Sequence, residues 1–364
     1  MKKTTTKALI SGLAITATAV LLAGCGSAPE DSSTGAAASD YLPCMVSDSG
    51  GFDDKSFNQL GYEGLQQAAE ELGVEAKTVE SQSETDFESN VQSLVDQNCS
   101  TIITVGFLLA DAASASAKAN TDIEYVSIDD VVDTDFDGET DAPNIKPIIF
   151  DTAQAAFLAG YLSAGVTTTG VVGTFGGMNI PTVTIFMDGF AQGVDYYNQE
   201  NGADVAVIGW DSEAQDGSFT AGFEANDTAR QIAQGLIDQN ADIILPVGGP
   251  IYQSAASAIE DSGKDIALIG VDADVFETDP SVAPLLLTSI LKGIDVGVYD
   301  AVLAAGKDDF DASPFVGTLA NEGVGLADFH DWADKVPADL SAKLDELKQA
   351  IIDGDITVTS YLAE

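Results

Sequence analysis

Residues 41–72, YLPCMVSDSGGFDDKSFNQLGYEGLQQAAEEL, hold one full turn of the pattern that decides the fold. The apolar run near 42–47 reads as a buried strand. Gly50 and Gly51 let the backbone turn sharply. Asn58 to Leu72 then carries the spacing of an amphipathic helix. The same unit recurs down the chain. Apolar runs near 74–79, 101–105, 123–128, 145–150, 169–174, 203–209, 242–247 and 266–271 read as further parallel strands. Asp86 to Asp96, Ala153 to Ala164 and Thr228 to Gln239 read as helices between them. Alternation of this kind predicts α/β architecture with doubly wound, mostly parallel sheets flanked by helices. So many strands exceed one small sheet, so two lobes are expected. The N-terminal lobe would span 41–148 plus part of 272–318, and the C-terminal lobe 149–271 plus the C-terminal segment. Strands near 284–290 and 314–319 are expected to cross between the lobes more than once, making a hinge with a cleft.

Upstream of this repeat the chain carries address information. Lys2, Lys3 and Lys7 precede an apolar run that ends in Leu22, Ala23, Gly24 and Cys25. A charged start and a short apolar core ending in small residues make a signal peptide, here 1–24. Its last residues form a lipobox, in which the Cys25 thiol takes a diacylglycerol before cleavage. Acyl chains such as palmitate bury about 0.8 kcal/mol per CH₂, so two or more anchor stably. Residues 25–40 are rich in Ser, Ala and Gly and read as a flexible tether. The expected location is the extracytoplasmic face of a bacterial plasma membrane. In that oxidising setting Cys44, at the start of the first strand, and Cys99, just before an expected neighbour, are expected to form a disulfide.

A net charge of −45, with Arg230 the only arginine, excludes a nucleic-acid partner, because phosphate binding needs a basic face. His330 is the only histidine, which excludes histidine-based triads and multi-histidine metal sites. Asp133, Asp135, Asp137 and Glu139 lack the full calcium-loop pattern and read as a solvated acidic loop. No catalytic residue, metal or cofactor is expected.

In open α/β sheets ligands sit beyond the carboxyl ends of the strands. Those positions here hold Asp48, Asp54, Phe57 and Asn58 after the first strand, then Asp129 and Asp130. Further on come Trp210 and Phe219, Gly248 to Pro250, Asp272 and Asp274, and Lys292. Asp54 has a plain reading as the cap of the following helix, and Phe186 has one as helix core. Acids, aromatics, glycines and one lysine suit a nucleoside. A carboxylate accepts two bonds from a ribose diol, an aromatic stacks on a base, and a lysine offers three donors. Three acids around one lysine would repel a free phosphate, so an unphosphorylated ligand fits better. A ribose-like sugar or another small solute remains the alternative.

GGFDDKSFNQLGYEGL (50–65) resembles the opening motif of the basic membrane protein, or purine nucleoside receptor, lipoproteins. Further similar stretches are DFESNVQSLVDQNCSTIITVGFLLADA (86–112), YVSIDD (125–130), AAFLAGYLSA (155–164), VGTFGGMNIPTVTIFMDGFAQGV (172–194) and IGVDAD (269–274). The resemblance covers nearly all of the chain after the tether. It implies a type I periplasmic-binding-protein fold and a monomer that hands purine nucleosides to ABC permease subunits. By motif, Asp48 or Asp54 would lie at the base edge, and Phe57, with Asn58 beside it, on one face of the purine. Phe219 would stack on the other face. Asp129, Asp272 and Lys292 would hold the ribose, and Gly248 would let backbone approach the ligand. VGGPIY (247–252) departs from the family's AGGTG-like stretch at Pro250, which has no N–H to donate. The segment before Phe219, WDSEAQD (210–216), is also unusual for the family.

Overall fold

The computed structural model describes residues 41–135 and 137–362. The signal peptide, Cys25 and the tether lie outside the described residues. The described residues form one compact unit built on two six-stranded sheets and a two-stranded hairpin.

The first half runs β1 (Pro43–Val46), α1 (Phe57–Leu72), β2 (Lys77–Val79), α2 (Phe87–Asp96), β3 (Thr101–Val105), α3 (Ala110–Ala119), β4 (Glu124–Ile128) and β5 (Ile145–Phe150). The second half opens with α4 (Thr152–Val166), β6 (Val171–Gly176), α5 (Pro181–Asn201), β7 (Ala206–Ile208) and the hairpin β8 (Trp210–Asp211) and β9 (Asp216–Gly217). It continues through α6 (Asp227–Asp238), β10 (Ile243–Val247), α7 (Ile251–Ser262), β11 (Ala267–Asp272), α8 (Val275–Thr278) and β12 (Leu286–Lys292). The last elements are α9 (Ile294–Gly306), β13 (Phe315–Gly317), β14 (Val324–Leu326) and α10 (Ala338–Ile352).

The first sheet has the order β13-β5-β4-β3-β1-β2 and is parallel throughout. The second has the order β14-β12-β11-β10-β6-β7 and is parallel except for β14. The central strands β1, β3 and β10 are buried along their whole length, as expected of strands covered by helices on both faces. Pro246 stands inside β10, where a proline removes a ladder donor. The ladder from β10 to β11 ends at Ile244, so the strand parts from that neighbour as it runs toward its carboxyl end. Among the described residues the chain passes between the sheets three times, near 150–152, 292–294 and 317–324. After the second passage α9 packs on α1.

Close helix contact fixes the second lobe. An added side-chain carbon at Gly160 of α4 would meet the Phe190 carbonyl at 2.0 Å, and one at Gly193 of α5 would meet the Phe157 carbonyl at 2.0 Å. The two backbones therefore touch where each carries no side chain. Cys44 and Cys99 form a disulfide with a Cα separation of 5.9 Å, tying β1 to the approach of β3. Among the described residues no helix is long and apolar enough to cross a membrane.

Candidate functional site

Each sheet has a point where strand order reverses, and crevices form there. In the first sheet β1 lies between β2 and β3; in the second β6 lies between β7 and β10. The loops leaving β1 and β3 carry Asp48, Gly50 and Gly106. Those leaving β6 and β10 carry Ile180 and Gly248 to Pro250, and Thr182 stands in the first turn of α5. All of them line one cleft with a cavity volume of about 50 Å³, well below the roughly 300–1,000 Å³ usual for small-ligand sites.

A buried charge cluster forms the floor. Lys292, the last residue of β12, is 4% exposed. Its Nζ lies 2.7 and 2.5 Å from the two carboxylate oxygens of Asp129 and 3.8 Å from Oδ1 of Asp272. Asp129 follows β4 and Asp272 ends β11, so the lysine sits between carboxylates from both lobes. Both acids stand in the left-handed backbone region, φ 68° each, which aspartate tolerates better than most residues. The chain thus turns at each strand end on the residue that carries the charge. The ammonium also lies 4.9 Å from the ring centre of Phe57, 5.2 Å from Phe150 and 5.6 Å from Phe186, distances at which ring faces attract a cation. Burial pushes Asp272 up to about 7, with Lys292 opposing the rise and Asp129 and Asp54 adding to it. Burial raises Asp129 too, again against the pull of Lys292.

The turn after β1 is built by two aspartates and Asn58. Asp54 accepts from the backbone N–H groups of Ser56, Asn58 and Gln59 at 3.0, 2.9 and 3.1 Å and from Asn58 Nδ2 at 3.0 Å. It caps α1 with both oxygens, the plain role the sequence allows it. Asp48 Oδ1 accepts from Gly50 N at 2.8 Å and Asn58 Nδ2 at 2.8 Å, while Asn58 Oδ1 accepts from Asp48 N at 3.3 Å. Asn58 therefore clamps the two carboxylates together, 2% exposed. Burial pushes Asp48 up to about 6, opposed by the Gly50 and Asn58 bonds, with Asp54 and Asp129 adding to the rise.

The aromatic walls differ from the sequence expectation. Phe57 lines the cleft, as do Phe186 and Phe223, but Phe219 does not. Phe219 packs edge-on against Trp210, 6.4 Å between ring centres, and pairs through its backbone with Gly176. The loop carries Phe223 inward in its place. That ring lies against Gly177 and Gly248, where added side-chain carbons would fall 2.4 and 2.7 Å from it. Gly248, at φ 137°, thus admits a side chain of its own lobe to the cleft wall. Pro250 also lines the cleft and stands as the residue before α7. Of the residues expected at the site, the structure brings together Asp48, Asp54, Phe57, Asn58, Asp129, Gly248, Asp272 and Lys292. The lining positions the sequence did not mark are Gly106, Phe107, Leu108, Ile180, Thr182, Val183 and Phe223.

Elsewhere, Asp133, Asp135 and Asp137 bring carboxylate oxygens within 4.8 Å of one another. Asp133 accepts from the N–H groups of Asp137 and Gly138 at 3.0 and 2.9 Å, which gives it a structural role in its own loop. His330 lies 2.8 Å from Asp274 and stacks on Phe276, away from the cleft lining.

Residues 42–358 match the family described as ABC transporter substrate-binding protein PnrA-like. The ABC transporter nucleoside-binding protein BmpA of Lactococcus lactis is 28% identical over 368 residues, covering 96% of this chain and 98% of that protein. The CD4+ T-cell-stimulating antigen of Listeria innocua is 29% identical, covering 98% of this chain and 99% of that protein. Among solved structures, a solute-binding protein of an ABC transporter system from Aeropyrum pernix superposes with a TM-score of 0.77. It is 24% identical and covers 88% of this chain and 93% of that one.

Proposed function

The chain belongs to the family of PnrA-like ABC transporter substrate-binding proteins, and from that premise we propose that it captures purine nucleosides in the inter-lobe cleft. Members of the family are solute-binding proteins, not enzymes. The observation that carries the reading is Lys292, buried between Asp129 and Asp272 at the meeting of both lobes. An ammonium with two carboxylates offers donors and acceptors to a vicinal diol, and charge-assisted bonds of this kind contribute about 1.5–3 kcal/mol each. Phe57, Phe186 and Phe223 supply flat apolar surface for a base, worth roughly 1–3 kcal/mol per stacked base. The surplus of buried negative charge disfavours a phosphate, so nucleosides fit and nucleotides do not. The name of the Lactococcus relative, a nucleoside-binding protein, agrees with this reading.

The lobes are read as 41–148 plus part of 272–318, and 149–271 plus the C-terminal segment. Contacts reach across the cleft: Ser56 Oγ donates to the Val271 carbonyl at 2.8 Å and to Asp272 at 3.1 Å, and Thr278 Oγ1 donates to the Lys55 carbonyl at 2.6 Å. These suit a protein whose lobes close on ligand and reopen at a permease. The lipobox at Cys25 supports an anchor on the extracytoplasmic face, and the chain is read as a monomer. A thermal-shift screen tests the reading. Inosine, guanosine and adenosine should raise the melting temperature, free bases should raise it less, and ribose and nucleoside monophosphates should not raise it. A rise with ribose and none with any nucleoside would favour a sugar ligand and overturn it.

A further inference from the structure

The stretch after α10 forms no helix or strand, yet it is tied down along its length. α10 packs on α4. Val358, beyond it, is 4% exposed and belongs to the same apolar core as Phe150 and Ala153. Thr359 then exchanges two hydrogen bonds with the Gln192 side chain of α5. Its N–H donates to Oε1 at 2.9 Å, and its carbonyl accepts from Nε2 at 2.8 Å. Ser360 Oγ donates to Asp151 Oδ1 at 2.9 Å and accepts from the Leu362 N–H at 3.2 Å. Thr359 to Leu362 lie past the residues, 42–358, that match the family, so the family match does not account for these contacts.

Asp151 is where this stretch meets the hinge. It stands on the first passage between the sheets and is 6% exposed. Its N–H donates at 2.8 Å to the carbonyl of Gly317, on the third passage. Its Oδ2 accepts from Gln154 Nε2 at 2.8 Å, and Gln154 Oε1 accepts from the Leu319 N–H at 2.9 Å. Asp151 thus joins two of the three passages, and Ser360 holds its remaining oxygen. Past Ser360, Tyr361 lines a crevice with Asp130 and Ile149 from the first sheet and Pro181 of α5. α4 and α5 pack on strands of the second sheet. The stretch therefore starts on the second lobe, clasps a passage and reaches the first lobe.

We propose that residues 358–362 are a strap over the hinge that favours the closed arrangement of the lobes. The arrangement seen is a closed one. Ser56 and Thr278 donate across the cleft, and about 50 Å³ is left inside it. Opening turns the first sheet away from α5 about the passages. The strap is fixed to α5 through Thr359, so that turn pulls on the bond from Ser360 to Asp151 and draws Ile149 away from Tyr361. Hydrogen bonds to a carboxylate are among the stronger ones, and the open state gives this one up. A ligand that touches both lobes adds to the same closed state. The strap acts whichever solute the cleft takes.

The test is hydrogen exchange of the ligand-free full chain, comparing the wild type with the double variant Ser360→Ala, Tyr361→Ala and, separately, with Gln192→Ala. None of the three residues lines the cleft or is buried. Exchange at amides shielded by the facing lobe follows the population of the open state. Losing one hydrogen bond to a carboxylate shifts such an equilibrium about tenfold. Peptides spanning the cross-cleft contacts, 53–60 and 270–279, should therefore exchange about tenfold faster in both variants. Peptides of the central strands β3 and β10 should keep the wild-type rate. Unchanged exchange at both cross-cleft contacts in either variant overturns the proposal. So does faster exchange spread equally through β3 and β10, which would make the strap a general brace of the fold. If the double variant does not fold, Gln192→Ala decides by the same readings.

Discussion

Replacing Asp272 by alanine tests the ribose assignment. Its Oδ2 accepts from Ser56 Oγ at 3.1 Å. Its Oδ1 stands 3.8 Å from Lys292 Nζ, beyond hydrogen-bond length, so that oxygen is available to a hydroxyl. Lys292 keeps its bonds of 2.7 and 2.5 Å to Asp129 in the variant, so no buried cation is stranded. The ligand loses one to two charge-assisted bonds at about 1.5–3 kcal/mol each. A loss near 3 kcal/mol is about a hundredfold in affinity. Titrations belong near pH 8, above the value of about 7 for Asp272, where the wild-type carboxylate is charged. Inosine should weaken about a hundredfold, 2′-deoxyinosine by less, and hypoxanthine hardly at all. If Asp272 serves only to hold Ser56 and the lobe contact, the variant melts lower and weakens base and nucleoside alike. A loss below about tenfold for inosine, or an equal loss for hypoxanthine, refutes the ribose role.

Other consequences follow from the same geometry. Reducing the Cys44–Cys99 bridge, or replacing both cysteines by serine, should destabilise the fold by about 4 kcal/mol on the chain-entropy account of a separation of 55 residues; denaturant melts with and without reductant measure it. Gly193→Ala forces a carbon toward the Phe157 carbonyl and should cost about 1–3 kcal/mol of stability, read from a melting curve. Asp48 and Asp272 take up protons more readily folded than unfolded, because burial raises both. Their contribution to stability is present below the unfolded carboxylate range and lost as pH rises through about 6 to 7, so the melting temperature should fall across that window. The double variant Asp48→Asn, Asp272→Asn should flatten that part of the profile.

Much of the fold is legible because strand and helix periods are local. The run to Ser47 and the helix to Leu72 need no partner to be read, and the rule that ligands gather at strand ends reaches Asp48, Asp129, Asp272 and Lys292. Gly106 and Phe107 follow β3 as Asp129 follows β4, but carry no charge to mark them. The aromatic wall is less legible. Phe219 and Phe223 share an aperiodic loop, and which ring turns inward depends on space left by Gly177 and Gly248, on different strand ends far away in sequence. The division of labour between Asp48 and Asp54 was equally hidden. It depends on Asn58 and the backbone donors of α1 converging on one carboxylate and saturating it.

The most direct measurement is a crystal structure of the protein grown with inosine. The account places the ribose hydroxyls within hydrogen-bond distance of Asp129, Asp272 and Lys292, and the hypoxanthine ring against Phe57 with its outer edge toward Asp48. A nucleoside bound with its ribose at Asp48 and its base at Lys292, or bound outside the cleft, would contradict it.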